Sequence, residues 1–306
     1  MQRVLSTVTL LGLLVASAAA FAITEHLKLI KSPVYAPMVT RYISPVCGCL
    51  TERATVSLKF RRRTVVTVTI VDARQHTIAT LTSQQSVPRG QRTWTWDGRT
   101  DGGARVPDGT YRPEVALPHR TYLLSVDRVT VDTTVPKVLS ASVHRTLIIG
   151  GKKGVPIHYV FSQAANALVY LGRQQVVLGH PTRTHDKVRW SGRRAGRILG
   201  VGRYVLTVAA RDAAGNETPP GDRKRVVVLL RYIEVAQTRI HVGAGKHFSV
   251  GIRTAASKYS WRFAGKRGTG HGKVLRLRAP SRHGRFRLVV TEQGHSASAI
   301  VSVGRG

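Results

Sequence analysis

Residues 94–117, WTWDGRTDGGARVPDGTYRPEVAL, carry three carboxylates, Asp97, Asp101 and Asp108, among closely spaced glycines. Acidic side chains in a glycine-rich loop are the raw material of a calcium site. Such a site, however, draws its oxygen ligands from alternate positions of one short loop, and the spacing here has no such form. Asp97-Gly98, Asp101-Gly102 and Asp108-Gly109 are instead three turn dipeptides. In each, glycine can supply positive φ and aspartate can bond its own following backbone. The aspartates therefore read as turn residues, and no metal ligand set is assigned to them.

Other reactive residues lead no further. Cys47 and Cys49 are the only cysteines. Without neighbouring His or Cys they fall short of the four ligands of a structural zinc site. They could close a local disulfide in an oxidising compartment or stay as two thiols. GAGKHF and GHGKVL contain Gly-Lys, yet Ile240 and Arg267 stand where a phosphate loop needs its first glycine, and His247 and Val274 where it needs Ser or Thr. Of the 12 histidines, five follow residue 231 (His241, His247, His271, His283 and His295), with no metal-like spacing. His180 and His185, with Asp186 adjacent, make at most a weak incidental site. After residue 231 the carboxylates are Glu234 and Glu292, which leaves little for a paired acid–base mechanism. The expectation is a protein that is not an enzyme and holds no cofactor or metal.

Charge is the outlying property: 48 Lys and Arg against 15 Asp and Glu, a formal +33. It rises along the chain, with net +5 over 45–136, +12 over 137–230 and +13 over 231–306. Such a field attracts polyanions of any kind and is silent about fold. Arginines outnumber lysines 36 to 12, a bias that GC-rich coding also produces. Arg61-Arg62-Arg63 is expected to be an exposed hairpin between two strands. Candidate polyanion-binding residues are Arg193, Arg194 and Arg197, in the glycine-rich loop after Trp190. Lys266, Arg267, Lys273 and Arg276 join them in the last segment, with Arg278, Arg282 and Arg285. LRLRAP places Arg276 and Arg278 on one face of a strand, with Leu275 and Leu277 inward. Aromatics interleave poorly with these charges, which argues against a base-stacking platform.

The elements that would position these residues have period two. ATVSLKF (54–60), VVTVTIV (65–71), TIATLTS (77–83) and TYLLSVDRVTV (121–131) alternate or run β-branched between turns. Strands of this length and spacing argue for β-sandwiches. Only 164–171 hints at helical periodicity, over too short a run to assign. A loose repeat is visible: Trp96-Asp97-Gly98 precedes Gly109-Thr110-Tyr111 as Trp190-Ser191-Gly192 precedes Gly202-Arg203-Tyr204. Trp261 and Gly284-Arg285-Phe286 echo it at a longer gap. Tyr111 could bury its ring while its hydroxyl reaches backbone, as at a tyrosine corner. Gly215-Asn216 predicts a hairpin turn between strands at 204–211 and 225–230.

Val4 to Ile23 is uncharged for 20 residues after Arg3, about the length that spans a bilayer. It also has the build of a signal peptide, with a cleavage candidate after Ala22. The parse is a signal anchor or signal peptide (1–23), a polar connector (24–44), and sandwiches at 45–136, 137–230 and 231–306. The fold class is all-β: three tandem Ig-like β-sandwich domains after an N-terminal transmembrane or signal segment. Export makes nucleic acid a poor partner. Membrane contact through the N-terminus, with outward-facing domains, is the expected location, and secretion after cleavage near Ala22 is the alternative.

Residues 65–117 also resemble a known family. The strand pair, then Trp96-Asp97-Gly98, Gly102 or Gly103, and Pro107-Asp108-Gly109-Thr110-Tyr111, is similar to the Ig-like domain of the flagellar hook-capping protein (FlgD-type). Two departures stand out. The hairpin DARQH lacks the usual glycine, and SPVCGC replaces the polar loop that often precedes such domains. The resemblance implies an Ig-like fold and a role as spacer, cap or adhesive module. It implies nothing flagellar, because nothing else in the chain has that character. VAARDAAGNETPP (208–220) is likewise similar to the ending of bacterial surface Ig-like repeats. The expected function is a non-enzymatic envelope spacer or binding module whose basic surface meets anionic polymers or lipid headgroups. An accessory to an exported cell-wall or polysaccharide enzyme, and an adhesin, are the alternatives, each with an exported protein partner.

Overall fold

A computed structural model of the chain describes residues 12–22, 32–118, 120–124, 127–179 and 183–304. Of the N-terminal apolar run, residues 12–22 form a helix, and residues 4–11 and 23 lie outside the described residues. No helix among the described residues is long and apolar enough to cross a membrane. Among the described residues from 32 onward, the chain is built from strands and turns, apart from one 3-10 turn at Pro220–Asp222. The chain divides into two compact units, residues 1–133 and 134–306.

In the first unit, Val34–Val39, Ala54–Phe60 and Gly90–Trp96 form a three-stranded sheet. A second sheet runs Tyr42–Ile43, Val129–Val131, Gly109–Leu117, Thr64–Val71, Thr77–Val87, with Arg120–Leu123 paired to Gly109–Leu117. Alternation along these strands sends Val56, Leu58 and Phe60 inward from one sheet and Val66, Val68 and Ile70 from the other. Three expectations are corrected here. Residues 34–43 are no connector, because Val34–Val39 pairs antiparallel with Ala54–Phe60 and Ile43 is fully buried. Arg61-Arg62-Arg63 is not a hairpin but the crossover from one sheet to the other, since its flanking strands do not pair. Residues 121–131 are not one strand: they supply the end of Arg120–Leu123 and, separately, Val129–Val131.

The second sandwich is organised by one strand of 17 residues, Val155–Leu171. Its first part pairs with Val138–Val143 and Arg183–Trp190, and its last part with Gly202–Arg211 and Gln174–Leu178. The register breaks between Val160 and Ala165, where the strand passes from one partner set to the next. The hint of a helix at 164–171 is thereby overturned. Ala165, Ala167 and Val169 face the main core, whereas Leu168 and Tyr170 are buried on the opposite face with Ala209. A strand covered on both faces reads as a continuous apolar run.

The third sandwich has a three-stranded sheet, Ile233–Val235, His247–Thr254, Val274–Arg278. Its five-stranded sheet runs Arg239–Gly243, His295–Gly304, Gly284–Glu292, Lys258–Phe263, Lys266–His271. Val250, Ile252, Leu288, Val290 and Val301 fill the space between them.

The sequence repeat becomes a shared structural lock in the first two sandwiches. Trp96 and Tyr111 meet edge to face with centroids 5.3 Å apart, and Trp190 and Tyr204 with centroids 6.0 Å apart. Each indole donates to the carbonyl three residues on, Trp96 to Arg99 at 2.8 Å and Trp190 to Arg193 at 3.0 Å. Each tyrosine hydroxyl donates four residues back, Tyr111 to Pro107 at 2.9 Å and Tyr204 to Gly200 at 3.0 Å. The reversals after the tryptophans place Gly98 at φ +72 and Gly192 at φ +75. A Cβ would stand 2.4 Å from Pro45 Cγ in the first case and 2.9 Å from Leu147 Cδ2 in the second. The third sandwich lacks this lock, because Trp261 lies within the strand Lys258–Phe263 and Phe286 has no hydroxyl.

Trp96→Ala and Trp190→Ala are each expected to cost their sandwich about 3–5 kcal/mol, as large buried aromatics. Gly98→Ala should also destabilise, through its positive φ and the approach to Pro45. Chemical denaturation of the full chain followed by circular dichroism checks all three, and a Gly98→Ala midpoint equal to the parent's would remove the lock from the account.

Candidate polyanion-binding surface

The carboxylates of the glycine-rich loop are bound by the protein itself. Asp97 accepts from the Arg99 amide at 3.2 Å. Asp101 accepts from the Thr80 amide at 2.7 Å and the Thr80 hydroxyl at 2.9 Å. Asp108 accepts from the Thr133 amide at 3.0 Å and the Thr133 hydroxyl at 2.8 Å. The last two tie turns to residues more than twenty positions away, Thr80 within Thr77–Val87 and Thr133 just after Val129–Val131. Among the described residues, no group of three or more His, Cys, Asp or Glu could hold a metal ion. His180 lies outside the described residues.

Two hairpin-end turns show how the DARQH departure is accommodated. Asp72 accepts from the amides of Arg74 and His76 at 2.8 and 2.9 Å, and Asp212 accepts from the Asn216 amide at 2.9 Å. The Asp72 carboxyl is held below its usual range chiefly by the His76 amide. Gln75 adopts φ 66 where the counterpart Gly215 has φ 92. Glutamine thus occupies the left-handed conformation that glycine would take without strain. The connection after Arg211 is longer than a two-residue hairpin, running through Asn216 and the 3-10 turn to Lys224. Cys47 and Cys49 are joined in a disulfide within the loop whose Pro45 packs on the Trp96-Asp97-Gly98 turn.

The candidate cations do not converge on one patch. Arg193–Arg194 pairs with Arg197–Ile198 as a small two-stranded hairpin of the second sandwich. There Arg193 donates to Gly196 O at 2.6 Å and Arg194 to Gln174 Oε1 at 2.7 Å. Arg193 repeats the part of Arg99, which donates to Gly103 O at 2.8 Å in the first sandwich. Both therefore brace the turn after a tryptophan, and Arg197 is left exposed.

In the third sandwich the candidates divide between two outer faces. Arg276 and Arg278 stand outward from the three-stranded sheet, opposite Ser249 and His247, with Lys273 just before their strand. Arg278 donates to Gly245 O at 2.7 Å. Lys266, Arg267 and Arg285 belong to the five-stranded sheet. Arg282 lies over the Phe286 ring, 5.2 Å from its centroid.

Several exposed residues missed at the sequence level complete this second face. Leu288, Val290, Ala297, Ala299 and Val301 point inward, so Arg285 and Arg287 point outward. Cross-strand pairing puts Arg262 directly between Val289 and Arg267. Arg239, paired with outward Ile300, joins them from the far edge. The signal was present in the sequence, since RFRL spaces Arg285 and Arg287 as LRLR spaces Arg276 and Arg278. Arg262, Arg267 and Arg287, with Lys266, line a shallow depression of about 250 Å³. The two carboxylates of this sandwich are engaged elsewhere. Glu234 accepts from Arg253 at 2.7 Å and from Thr146 of the second sandwich at 2.7 Å. Glu292 is buried and accepts from Thr254.

One further electrostatic cluster lies in the second sandwich. Glu217 accepts from Tyr170 at 2.6 Å, Arg211 at 2.6 Å and Arg223 at 2.9 Å, and Arg223 covers the Tyr170 ring at 4.1 Å. Burial, and then the bond to Glu217, push the Tyr170 phenol up to about 12. Each member satisfies another, so the cluster is a brace.

Residues 51–119 match the FlgD Ig-like domain family, and the first sandwich is a domain of this type within a multi-domain chain. No curated protein matches the chain. Among solved structures, a tandem from titin aligns at 10% identity over 89% of this chain and 100% of that one, with TM-score 0.28. SGBP-B of the Bacteroides ovatus mixed-linkage glucan utilization locus, in complex with a mixed-linkage heptasaccharide, aligns at 12% identity over 89% and 67%, with TM-score 0.30. Immunoglobulin domains 1–5 of Sidekick-1 align at 11% identity over 90% and 60%, with TM-score 0.24. Nothing of what those proteins bind or assemble with transfers at such values.

Asp101→Ala is expected to cost about 1 kcal/mol, the usual net worth of exposed hydrogen bonds, and millimolar calcium should leave the melting temperature of both proteins unchanged. A calcium-dependent rise abolished by Asp101→Ala would turn the loop into a metal site. For Tyr170, the phenol's ordinary value of 10.0 is raised in the fold to about 12. Its contribution is therefore complete below about pH 10 and is lost as pH rises towards 12. Tyr170→Phe should flatten that part of the stability–pH curve, measured by denaturant titration; an unchanged slope assigns it to other groups.

Proposed function

We propose that this chain is a non-enzymatic, exported protein of the cell envelope, in which tandem Ig-like sandwiches act as a spacer and present a basic surface to anionic envelope material. The observation that supports this most directly is the disposition of carboxylates after residue 231. Of the two, Glu234 holds Arg253 and Thr146, and Glu292 is buried against Thr254. Glu234 thus answers one of the fifteen Lys and Arg of that segment, and neither carboxylate is free to neutralise the others. Uncompensated positive surface repels itself and is relieved by an anionic partner. The apolar N-terminal run supports export, and the Cys47–Cys49 disulfide is of the kind that persists in oxidising compartments. In this reading the run Val4 to Ile23 is kept as an anchor, and the sandwiches face outward.

Two measurements test it. Intact-mass analysis of protein from cell fractions should find residues 4–23 retained and the chain with membranes; a mature N-terminus at Ile23 with soluble protein in the medium replaces the anchor by a cleaved signal. Retention of the full chain on anionic envelope polymer should fall steeply between low and physiological salt. Retention that ignores salt would assign the arginine excess to composition. A hydrolase that co-purifies in stoichiometric amounts would favour the accessory role instead.

A further inference from the structure

We propose that the outer face of the five-stranded sheet in the third sandwich is the binding site itself, and that its ligand is a linear polyol-phosphate polymer, a chain of phosphodiesters without rings. The inference rests on the basic-surface reading above and gives it a place and a ligand class. Arg262, Arg285 and Arg287 carry it. All three are exposed on interior strands of the sheet, two on Gly284–Glu292 and one on the adjoining Lys258–Phe263.

Position in the sheet separates Arg262 from a structural explanation. Charged side chains on an edge strand protect against edge-to-edge pairing. Lys266 and Arg267 lie on one edge strand and Arg239 on the other, so edge protection accounts for them. It does not account for Arg262, which is paired on both sides, with Arg267 and with Val289. Arg285 and Arg287 lie before the stretch of Gly284–Glu292 that pairs with Lys258–Phe263 and have His295–Gly304 beside them on one side. The placement is also unfavourable in the isolated fold. Arg262 sits directly opposite Arg267, and like charges at directly opposed positions destabilise a sheet. No carboxylate of this sandwich reaches the face, because Glu234 belongs to the other sheet and Glu292 points inward.

The same face excludes other polyanions. Ser260, Thr269, Thr291, Ser296, Ser298 and Ser302 are outward on the same face, beside Lys258, Val289 and Ile300, and give hydroxyl donors and acceptors for a hydroxylated chain. No Phe, Tyr or Trp ring of the five strands is turned outward: Tyr259, Trp261, Phe263 and Phe286 pack into the core, and the outward rings are the imidazoles of His241 and His271 on the two edge strands. On the strands between those edges there is no ring for bases to stack on, and nothing flat to seat the apolar face of a sugar. A membrane surface would also be served by interfacial Trp and Tyr, which the face lacks. Arginine suits phosphate because its fork can make two parallel hydrogen bonds to one group. Arg285 and Arg287 are two residues apart, so their Cα atoms lie about 6.4–6.8 Å apart along the strand, and Arg262 extends the array across it.

The test uses the full chain and poly(glycerol phosphate) as probe, with phosphatidylglycerol vesicles and a single-stranded oligonucleotide as competing probes. One variant combines Arg262→Ser, Arg285→Ser and Arg287→Ser. The other removes equal charge from the opposite sheet, by Lys273→Ser, Arg276→Ser and Arg278→Ser. The first should weaken polymer binding at least tenfold and lower the slope of log K against log salt by two to three, whereas the second should weaken it less than threefold. Arg262→Lys with Arg287→Lys conserves net charge and should still weaken binding several-fold. This pair also keeps the test open if the serine variant does not fold. Equal losses in the two serine variants, or no effect of the lysine pair, would overturn the face as the site while leaving a diffuse basic surface in place. A parent protein with no salt-sensitive binding to any of the probes would overturn the basic-surface reading as well. Tighter binding to vesicles or oligonucleotide than to the polymer would overturn the ligand class.

Discussion

A buried indole must hydrogen-bond its N–H, or burying the ring costs more than it returns. In the first two sandwiches that requirement shapes the chain around it. Trp96 and Trp190 end their strands almost fully buried. The only carbonyl each uses lies three residues on, at Arg99 and Arg193. Reaching it demands an immediate reversal, hence positive φ at Gly98 and Gly192. The closeness of Pro45 and Leu147 then leaves no room for a side chain there. The tyrosine that follows packs on the indole edge and fixes the next turn through its own hydroxyl. Position by position, the glycine-rich segment that resembles a ligand loop is the enclosure of one N–H group.

Those features were legible because they are local. Alternation located Ala54–Phe60, Thr64–Val71 and the start of Thr77–Val87, and the spacing of tryptophan, glycine and tyrosine located the turns. Other parts depend on partners distant in sequence. Val34–Val39 is mostly exposed, so its composition reads as a linker, and only backbone pairing with Ala54–Phe60 makes it a strand. Residues 164–171 lose the alternation of a strand because both faces are covered. Gln75 shows how a turn can persist without its glycine: Asp72 accepts from two following amides and holds the loop, so the strain of φ 66 is tolerated.

The basic surface was visible as composition and as candidate arginines, but not as geometry. Arg276-x-Arg278 and Arg285-x-Arg287 have the same local pattern. Nothing within either motif tells that they belong to different sheets of one sandwich, since that depends on strand order. Arg193 had every mark of a ligand contact in sequence. Its equivalence to Arg99 shows a guanidinium closing a turn, a role that emerges only when two sandwiches are compared at the same position.

The third sandwich differs from its neighbours in a way that bears on its charge. It has no tryptophan lock, and its stability rests on an apolar interior and on two carboxylates in fixed positions. Glu234 carries Arg253 on one oxygen and reaches Thr146 of the preceding sandwich with the other. Glu292 is buried beneath the five-stranded sheet. Rotating either carboxylate outward to meet the surface arginines would break these bonds, and in the case of Glu292 would unmake part of the core. The repulsion among Arg262, Arg267, Arg285 and Arg287 therefore has no internal remedy. Small counterions screen it only in proportion to salt, whereas a polyanion bound across the strands would neutralise several charges at once and release the ions they had gathered. With Glu234 held by Arg253 and Glu292 buried, the proposed polyanion would be the partner that relieves that field.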